Sequence, residues 1–291
     1  MANATGEAKS GPLLLQFNRS VRLLFRGSAI SSDGGLLLHR ELDDALGLTD
    51  LATDLLVDHR TGKNGRHTFV GLLRQSIFSR LAGYEDVNDA DRLCRDPVMR
   101  QLVGGRAVKR GAASASAMGR FETATLTQAE NLAALADLSG HWIDAVHAKR
   151  PSKVIGLDMD SSESPVYGDQ EGAIWNGHFQ SKCLHPLFVF NQFGDLERCV
   201  LRPGNVHSAD GWKELLSPVL ARYSAKARPS IIRRRFRGDA AFAIPGLFDL
   251  LEAEGWDYAI RMKANPKLHE QVAFLTKRPR GRPPNHVVRR Y

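Results

Sequence analysis

Val154-Ile155-Gly156-Leu157-Asp158-Met159-Asp160-Ser161-Ser162 is the stretch that decides the fold of this chain. Its run of β-branched and apolar residues predicts a strand. Side chains alternate along a strand, so Asp158 and Asp160 share one face and Leu157 and Met159 share the other. Two carboxylates on a central strand must be solvated, paired or bound to metal. The alternative is a turn at the end of the strand, in which Asp160 caps the backbone.

The apolar pattern of residues 151–265 predicts an α/β domain with a mixed sheet around this strand. Further strands are expected over 184–193, 196–202, 230–236 and 258–262, with helices over 211–225 and 245–255. The resulting order, β-β-β-α-β-α-β, is the layout of an RNase H-like domain. In such a sheet the fourth strand lies beside the first, so Asp239 would come close to Asp160. Taken alone, an aspartate after a strand and beside a glycine is a common turn.

Two neighbouring carboxylates are suited to holding a hard divalent cation. Phosphodiester cleavage uses such a cation to activate the nucleophile and to stabilise the leaving oxygen. Magnesium takes few protein carboxylates and keeps water and substrate oxygens in its shell. We therefore expect Mg²⁺ or Mn²⁺ at Asp160 and Asp239, with Asp158 as the alternative to Asp160.

The first half of the chain predicts an all-helical domain over residues 33–150. Apolar residues recur at helical spacing over 36–46, 67–84 and 127–148, and a loop is expected over 111–116. Residues 1–32 are expected to be flexible or extended.

The net charge of +8 is unevenly distributed along the chain. Residues 228–291 hold 14 basic and 6 acidic residues, whereas residues 1–227 hold 26 of each. A one-sided basic segment indicates a polyanionic partner such as nucleic acid, and the alternative is a solvated tail. Arg233, Arg235 and Arg237 are the expected phosphate contacts in the fourth strand, although alternate arginines could instead shield the strand edge.

Residues 266–291 form a basic segment rich in proline and arginine. Its stretch Lys277-Arg278-Pro279-Arg280-Gly281-Arg282-Pro283-Pro284 is similar to the AT-hook motif, which binds the minor groove of DNA. Arg278, Arg280 and Arg282 are the expected contacts. The alternative is a solvated loop between catalytic elements.

The three cysteines lie far apart and form no metal-ligand or disulfide pattern. No window approaches the length of a membrane-spanning apolar segment. We expect a cytoplasmic, nucleoid-associated protein with no membrane partner and no small-molecule substrate.

Short motifs spread over about nine-tenths of the chain resemble one family. In chain order they are Asp33-Gly34-Gly35-Leu36-Leu37-Leu38, His59-Arg60, Gly83-Tyr84-Glu85-Asp86, Asp89-Ala90, Arg95-Asp96-Pro97, Arg120-Phe121-Glu122, Leu157-Asp158-Met159-Asp160-Ser161, Tyr167-Gly168-Asp169-Gln170-Glu171-Gly172-Ala173, Asn176-Gly177, Pro186-Leu187, Leu201-Arg202-Pro203-Gly204-Asn205, Arg237-Gly238-Asp239 and Arg261-Met262-Lys263-Ala264-Asn265. Each is weak alone, but their order is specific. The chain resembles the DDE-type transposases of bacterial insertion sequences, in the group numbered thirteen-eighty.

This resemblance implies site residues and a function, and it implies that the helical domain over 33–150 serves in DNA binding or dimerisation. Asp160 matches the first acidic residue of the family triad and Asp239 the second, while the third is a glutamate on a helix well beyond the fifth strand. Glu270 does not match that motif, so the chain is expected to be truncated at its C-terminus, with an incomplete catalytic core. The implied activity is metal-dependent cleavage and transfer of DNA strands at the terminal inverted repeats of a transposon and at target DNA, with self-association on DNA. The alternative is a catalytically inactive, truncated transposase that only binds DNA or represses transposition.

Overall fold

The computed structural model describes residues 13–23, 33–61, 65–276 and Gly281. The chain divides into two compact units, Met1–Pro151 and Ser152–Tyr291. The first unit is built from helices and a short ribbon, and the second combines helices with β-sheets. Among the described residues, no helix has both the length and the apolar character needed to cross a membrane.

The described elements of the first unit are a two-stranded antiparallel ribbon followed by helices. The ribbon pairs β1 (Leu13–Leu14) with β2 (Arg22–Leu23). The helices are α1 (Leu36–Leu46), α2 (Leu48–Leu55), α3 (Phe69–Leu81), α4 (Ala90–Leu93), α5 (Pro97–Val103), α6 (Ala107–Arg110), α7 (Ala115–Arg120) and α8 (Ala129–Lys149). A 3₁₀ turn (Val87–Asp89) precedes α4, and a π-helical turn (Phe121–Thr125) follows α7.

Capping side chains define where two of these helices begin. The Thr68 hydroxyl accepts a hydrogen bond from the Gly71 amide at 3.1 Å at the start of α3. Asp96 accepts one from the Met99 amide at 2.8 Å at the start of α5, where proline follows as the first helical residue. Both contacts satisfy amides that have no partner inside the helix.

The loop predicted over 111–116 is wrong at its last two residues, because α7 begins at Ala115. The Ala115 amide donates to the Asp91 carboxylate at 2.9 Å, which fixes the start of this helix. Alanine is the best helix former, and the alanines at 115 and 117 favour a helix here. The described part of 1–32 is the ribbon, and Leu15 directly after β1 is buried in the helical core.

The described strands of the second unit form two sheets. In chain order the strands are β3 (Val154–Ser161), β4 (Ser164–Pro165), β5 (Ile174–Asn176), β6 (Ser181–Leu184), β7 (Leu187–Asn191), β8 (Leu196–Val200), β9 (Arg233–Gly238) and β10 (Asp257–Ile260). The helices are α9 (Trp212–Arg222), α10 (Pro245–Ala253) and α11 (Pro266–Thr276). A 3₁₀ turn (Ala240–Phe242) lies between β9 and α10.

The larger sheet has the strand order β10-β9-β3-β7-β8. Strand β3 is at its centre, antiparallel to β7 and parallel to β9. Strands β7 and β8 are antiparallel, and β9 and β10 are parallel. The prediction of a mixed sheet in an α/β domain is confirmed.

The strand predicted over 184–193 corresponds to β7, and its first residue, Leu184, instead ends β6 of a different sheet. Proline lacks the amide hydrogen that a ladder needs, and Pro186 separates β6 from β7. Strands β4, β6 and β5 form a second, three-stranded antiparallel sheet inserted between β3 and β7. The sequence pattern did not predict this insert, because its strands are only two to four residues long.

One face of the larger sheet forms the core of the second unit. Helices α9 and α10 cover it with leucine and valine side chains, including Leu216 and Leu247, which pack with Ile155 and Leu157 of β3 and Phe236 of β9. All five are fully buried. The core therefore lies on the side of β3 that faces away from Asp158 and Asp160.

A buried polar network joins β8 to α9 at the edge of this core. The side chain of Glu197 is fully buried and accepts hydrogen bonds from the Tyr223 hydroxyl at 2.7 Å and the Asn191 amide at 2.9 Å. Arg222 forms an ion pair with the second carboxylate oxygen. The buried charge is thereby both hydrogen-bonded and neutralised, as burial requires.

Candidate active site

The side chains of β3 divide between the two faces of the sheet as the alternation predicts. Leu157 and Met159 are buried in the core, at 0% and 2% exposure. Asp160 is exposed, and the side chain of Asp158 is 36% exposed. The two carboxylates therefore lie on the sheet face opposite the core, where solvent and ligands can reach them.

The parallel pairing of β3 with β9 brings Asp239 next to Asp160. The register pairs Asp158 with Arg237 and Met159 with Gly238, the last pair of the two strands. Asp160 is the next residue along β3, and Asp239 directly follows the end of β9. Because the two strands are parallel, both aspartates lie at the same edge of the sheet. Neighbouring strands are about 4.8 Å apart, a spacing across which two carboxylates can share one cation.

Each of these carboxylates uses one oxygen to hold the local backbone. Asp160 Oδ1 accepts the Ser161 amide at 2.8 Å, and Asp239 Oδ1 accepts the Ala241 amide at 2.9 Å at the start of the 3₁₀ turn. The alternative in which Asp160 caps the backbone therefore applies to only one of its two carboxylate oxygens. Among the described residues, none donates a hydrogen bond to the Oδ2 atom of either aspartate. One oxygen of each carboxylate remains for a ligand.

Asp158 is engaged differently from the other two aspartates. Arg237 lies opposite it across the strand pair and donates two hydrogen bonds, Nε to Oδ1 and a terminal nitrogen to Oδ2, both at 2.5 Å. These hydrogen bonds raise the pKa of Arg237 above its usual range. Arg237 therefore engages both oxygens of Asp158, whereas one oxygen of Asp160 accepts no hydrogen bond from the described residues.

The arginines of β9 alternate between the two faces. Arg233, Arg235 and Arg237 are exposed on the side of Asp158, and their side chains point away from the core. Arg234 points the other way, and its guanidinium donates to the Tyr223 carbonyl at 2.5 Å and the Arg228 carbonyl at 2.9 Å. Arg234 is therefore a structural residue at the end of α9, and the charge of Arg237 is matched by Asp158.

The donor chemistry at the edge of the sheet fits a hard cation. Carboxylate oxygens are the protein ligands that Mg²⁺ and Mn²⁺ accept, and two of them leave positions for water and substrate. Within residues 13–23, 33–61 and 65–276, no group of three or more His, Cys, Asp or Glu side chains is placed to hold a metal ion. Glu270 is exposed on α11.

The basic C-terminal segment is described only in part. Residues 266–276 form the helix α11, where the Asn265 side chain accepts the Leu268 amide at 2.9 Å and Pro266 is the first helical residue. Arg278, Arg280 and Arg282, the expected AT-hook contacts, lie outside the described residues.

The transposase DDE domain group 1 family model matches residues 14–291. Among solved structures, the chain is similar to the piggyBac transposase in a synaptic complex with hairpin DNA, at 14% identity and a TM-score of 0.29 over 84% of this chain and 45% of that chain. It is also similar to the Mos1 transposase in a paired-end complex with the left transposon end, at 16% identity and a TM-score of 0.25 over 76% of this chain and 67% of that one. The chain thus spans less than half the length of the piggyBac protein. No curated protein matches the sequence. Because the family model spans almost every residue, the chain belongs to the transposase DDE domain group 1 family.

Proposed function

We propose that this protein is a transposase that cleaves DNA strands at transposon ends and joins them to target DNA with the help of Mg²⁺ or Mn²⁺. The observation that carries the proposal is the juxtaposition of Asp160 and Asp239. Asp160 lies near the end of β3 and Asp239 directly follows β9, its parallel neighbour, and each has one carboxylate oxygen free of hydrogen bonds from the described residues. Membership of a DDE family supports the choice of these two carboxylates as the metal ligands.

The sheet supports an RNase H-like catalytic core. Three antiparallel strands, β3, β7 and β8, occupy one side, and β9 and β10 add to β3 in parallel on the other. This order places the ends of β3 and β9 side by side, which is the arrangement that two-carboxylate chemistry needs. The three-stranded insert between β3 and β7 is an addition to that core.

The proposed reaction has two steps of the same kind. In the first, a water oxygen forms a bond to phosphorus at the transposon end while the bond from phosphorus to the 3′ oxygen breaks. The products are a 5′-phosphate and a 3′-hydroxyl, and the 3′ oxygen gains the equivalent of the proton that the water loses. In the second, that hydroxyl attacks a target phosphodiester and the target 3′ oxygen leaves. A bound divalent cation supplies nucleophile activation and charge stabilisation worth several kcal/mol. Asp160 and Asp239 would hold that cation, and the Asp158–Arg237 pair links β3 to β9 beside it.

The exposed arginines suggest where the DNA backbone lies. Arg233 and Arg235 are two residues apart on one face of β9, so their side chains emerge about 6.6 Å apart along the strand. We propose that they bind phosphates next to the carboxylate pair, with Arg237 contributing after exchange of its contact with Asp158. Arg278, Arg280 and Arg282 remain proposed minor-groove contacts. Double-stranded DNA at terminal inverted repeats and at the target, self-association on DNA, and a cytoplasmic, nucleoid-associated location belong to this proposal.

One observation favours a second candidate, a transposase-derived protein that binds DNA without cutting it. The described residues place two carboxylates at the sheet edge and no third ligand beside them. Such a protein would occupy transposon ends and repress transposition.

A nicking assay on supercoiled plasmid in Mg²⁺ and in Mn²⁺ separates the two candidates. For the enzyme we expect metal-dependent nicking that Asp160→Asn and Asp239→Asn each reduce by about a thousandfold, because several kcal/mol of stabilisation is removed. Asp169→Asn is the matched control, since this exposed aspartate of the same unit contacts Lys182 away from the site. Duplex binding without nicking in either metal would support the repressor. Full nicking by both Asn variants would refute the site.

A further inference from the structure

A cavity of about 380 Å³ in the helical unit has only basic residues among its charged lining groups. Arg60, Arg66, His67 and Arg120 line it, and we call it the cationic cavity. Leu72 and Phe121 are among its apolar lining residues. The three arginines are exposed, so their guanidinium groups are available to a large ligand.

One stretch of sequence that contributes to this cavity carries basic residues and no acidic ones. Residues 97–121 contain five basic and no acidic residues, although residues 1–227 are balanced overall. Lys109 and Arg110 are exposed at the end of α6. Arg66 donates a hydrogen bond to the Arg110 carbonyl at 2.7 Å, which joins this end of α6 to the cavity.

Among the described residues, no carboxylate pairs with the charges of two of the lining arginines, Arg66 and Arg120. Arg60 is held by Asp58 through two hydrogen bonds, at 2.7 and 2.8 Å. In the contacts identified among the described residues, Arg66 and Arg120 donate to neutral acceptors, the Arg110 carbonyl and the Ser116 hydroxyl. Burial lowers the pKa of His67, and the neighbouring Arg66 and Arg60 lower it further. Arg60 and Arg66 therefore contribute to a positive potential in the cavity, which lowers the pKa of His67.

The cavity is framed by rigid structure with an unusual backbone. The π-helical turn Phe121–Thr125 supplies lining residues, and Arg120 directly precedes it. Phe121 is buried and packs edge-on against Phe69, with ring centroids 5.5 Å apart. π-helical turns are rare and occur frequently at functional sites. Here the turn places Arg120 at the cavity while its own aromatic side chain is anchored in the core.

We propose that the cationic cavity, with Lys109 and Arg110, binds the phosphate backbone of double-stranded DNA. Exposed guanidinium groups with neutral partners can exchange those contacts for phosphate oxygens, which they bind in bidentate fashion. Phosphate contacts position a duplex without reading its sequence. This surface would hold DNA on the helical unit independently of the carboxylate pair. The inference depends on the proposed function only for the choice of DNA as partner.

The test is a titration of a fluorescent duplex of arbitrary sequence with the full chain at several salt concentrations, without divalent metal. Each phosphate contact contributes about −0.9 to the slope of log K against log salt. Arg66→Ala/Arg120→Ala should reduce the magnitude of the slope by about 1.8 and weaken binding by roughly tenfold or more near 0.1 M salt. A duplex rich in G·C and one rich in A·T should lose affinity equally.

Three further variants keep the result interpretable. Arg66→Lys/Arg120→Lys retains both charges and should retain the salt slope of DNA binding. Lys109→Ala/Arg110→Ala should reduce the magnitude of that slope without altering the cavity wall. Arg92→Ala is the matched control, because this exposed arginine lies over the Tyr84 ring at 5.2 Å and does not line the cavity. Unchanged affinity and slope in both double-alanine variants would overturn the inference while leaving the proposed function intact. A wild-type chain that binds no duplex would overturn both.

Discussion

Replacing Asp158 and Asp160 separately by asparagine tests which carboxylate of β3 acts in the site. The two residues lie two positions apart on the same face of β3, so each variant is the control for the other. Asp158 has both oxygens bound to Arg237. Asp160 has one oxygen bound to the Ser161 amide and one with no donor among the described residues.

The magnitudes expected for the two variants are far apart. The Asp158–Arg237 pair is exposed, with side chains 36% and 69% accessible, so solvent and salt screen it. Its loss should lower the free energy of unfolding by at most about 1 kcal/mol. Asp160→Asn should hardly change that free energy, but it should slow metal-dependent nicking by about a thousandfold, since a metal ligand supplies several kcal/mol of transition-state stabilisation.

Two measurements are needed for each variant. Urea unfolding followed by circular dichroism gives the stability, and plasmid nicking in Mg²⁺ and Mn²⁺ gives the activity. The ion pair should also matter less in 1 M salt, so the stability difference of Asp158→Asn should shrink there. If Asp158→Asn abolishes nicking while Asp160→Asn cuts normally, the reasoning from the ion pair is refuted and Asp158 is the ligand.

Two predictions on stability follow from buried or half-buried polar groups. Glu197→Ala should lower the free energy of unfolding by about 3–5 kcal/mol, because it leaves Arg222 without its buried carboxylate. Tyr223→Phe should lower it by only about 1 kcal/mol, because it removes one hydrogen bond. Equal effects of the two variants in urea unfolding would contradict this prediction. The hydrogen bond from Arg80 depresses the pKa of Glu122 below its ordinary value of 4.5, so this group stabilises the fold above that pH and the gain is lost as the pH falls through the depressed value. Glu122→Gln should therefore flatten the acid side of the stability–pH curve, and an unchanged curve would exclude the pair as its cause.

Much of the candidate site follows from local sequence pattern. Alternation along β3 separates Asp158 and Asp160 from Leu157 and Met159, and the structure confirms that division. A period of two depends only on strand geometry, so it is readable without knowledge of neighbouring strands. The same rule holds along β9, where Arg234 turns toward α9 and its neighbours do not.

Other features depend on residues that are distant in sequence. Pro186 separates β6 from β7, but no local sequence pattern predicts that these two strands belong to different sheets. The cationic cavity was missed because the balanced total of residues 1–227 conceals the acid-free run 97–121, and because Arg66 and Arg120 are 54 positions apart. Charge totals do not reveal which side chains the helices bring together.

The sequence by itself determined the composition of each strand face, the presence of Asp160 and Asp239 at strand ends, and the basic character of β9 and the C-terminal segment. Only the tertiary structure decided that β3 and β9 are parallel neighbours whose register ends at Met159 and Gly238, directly before Asp160 and Asp239. It also decided that Arg237 binds both carboxylate oxygens of Asp158. The physical reason is the range of the interactions. Side-chain alternation is set by local backbone geometry, whereas strand register and ion pairing are set by packing between segments about 80 residues apart in the chain, which is a property of the whole core.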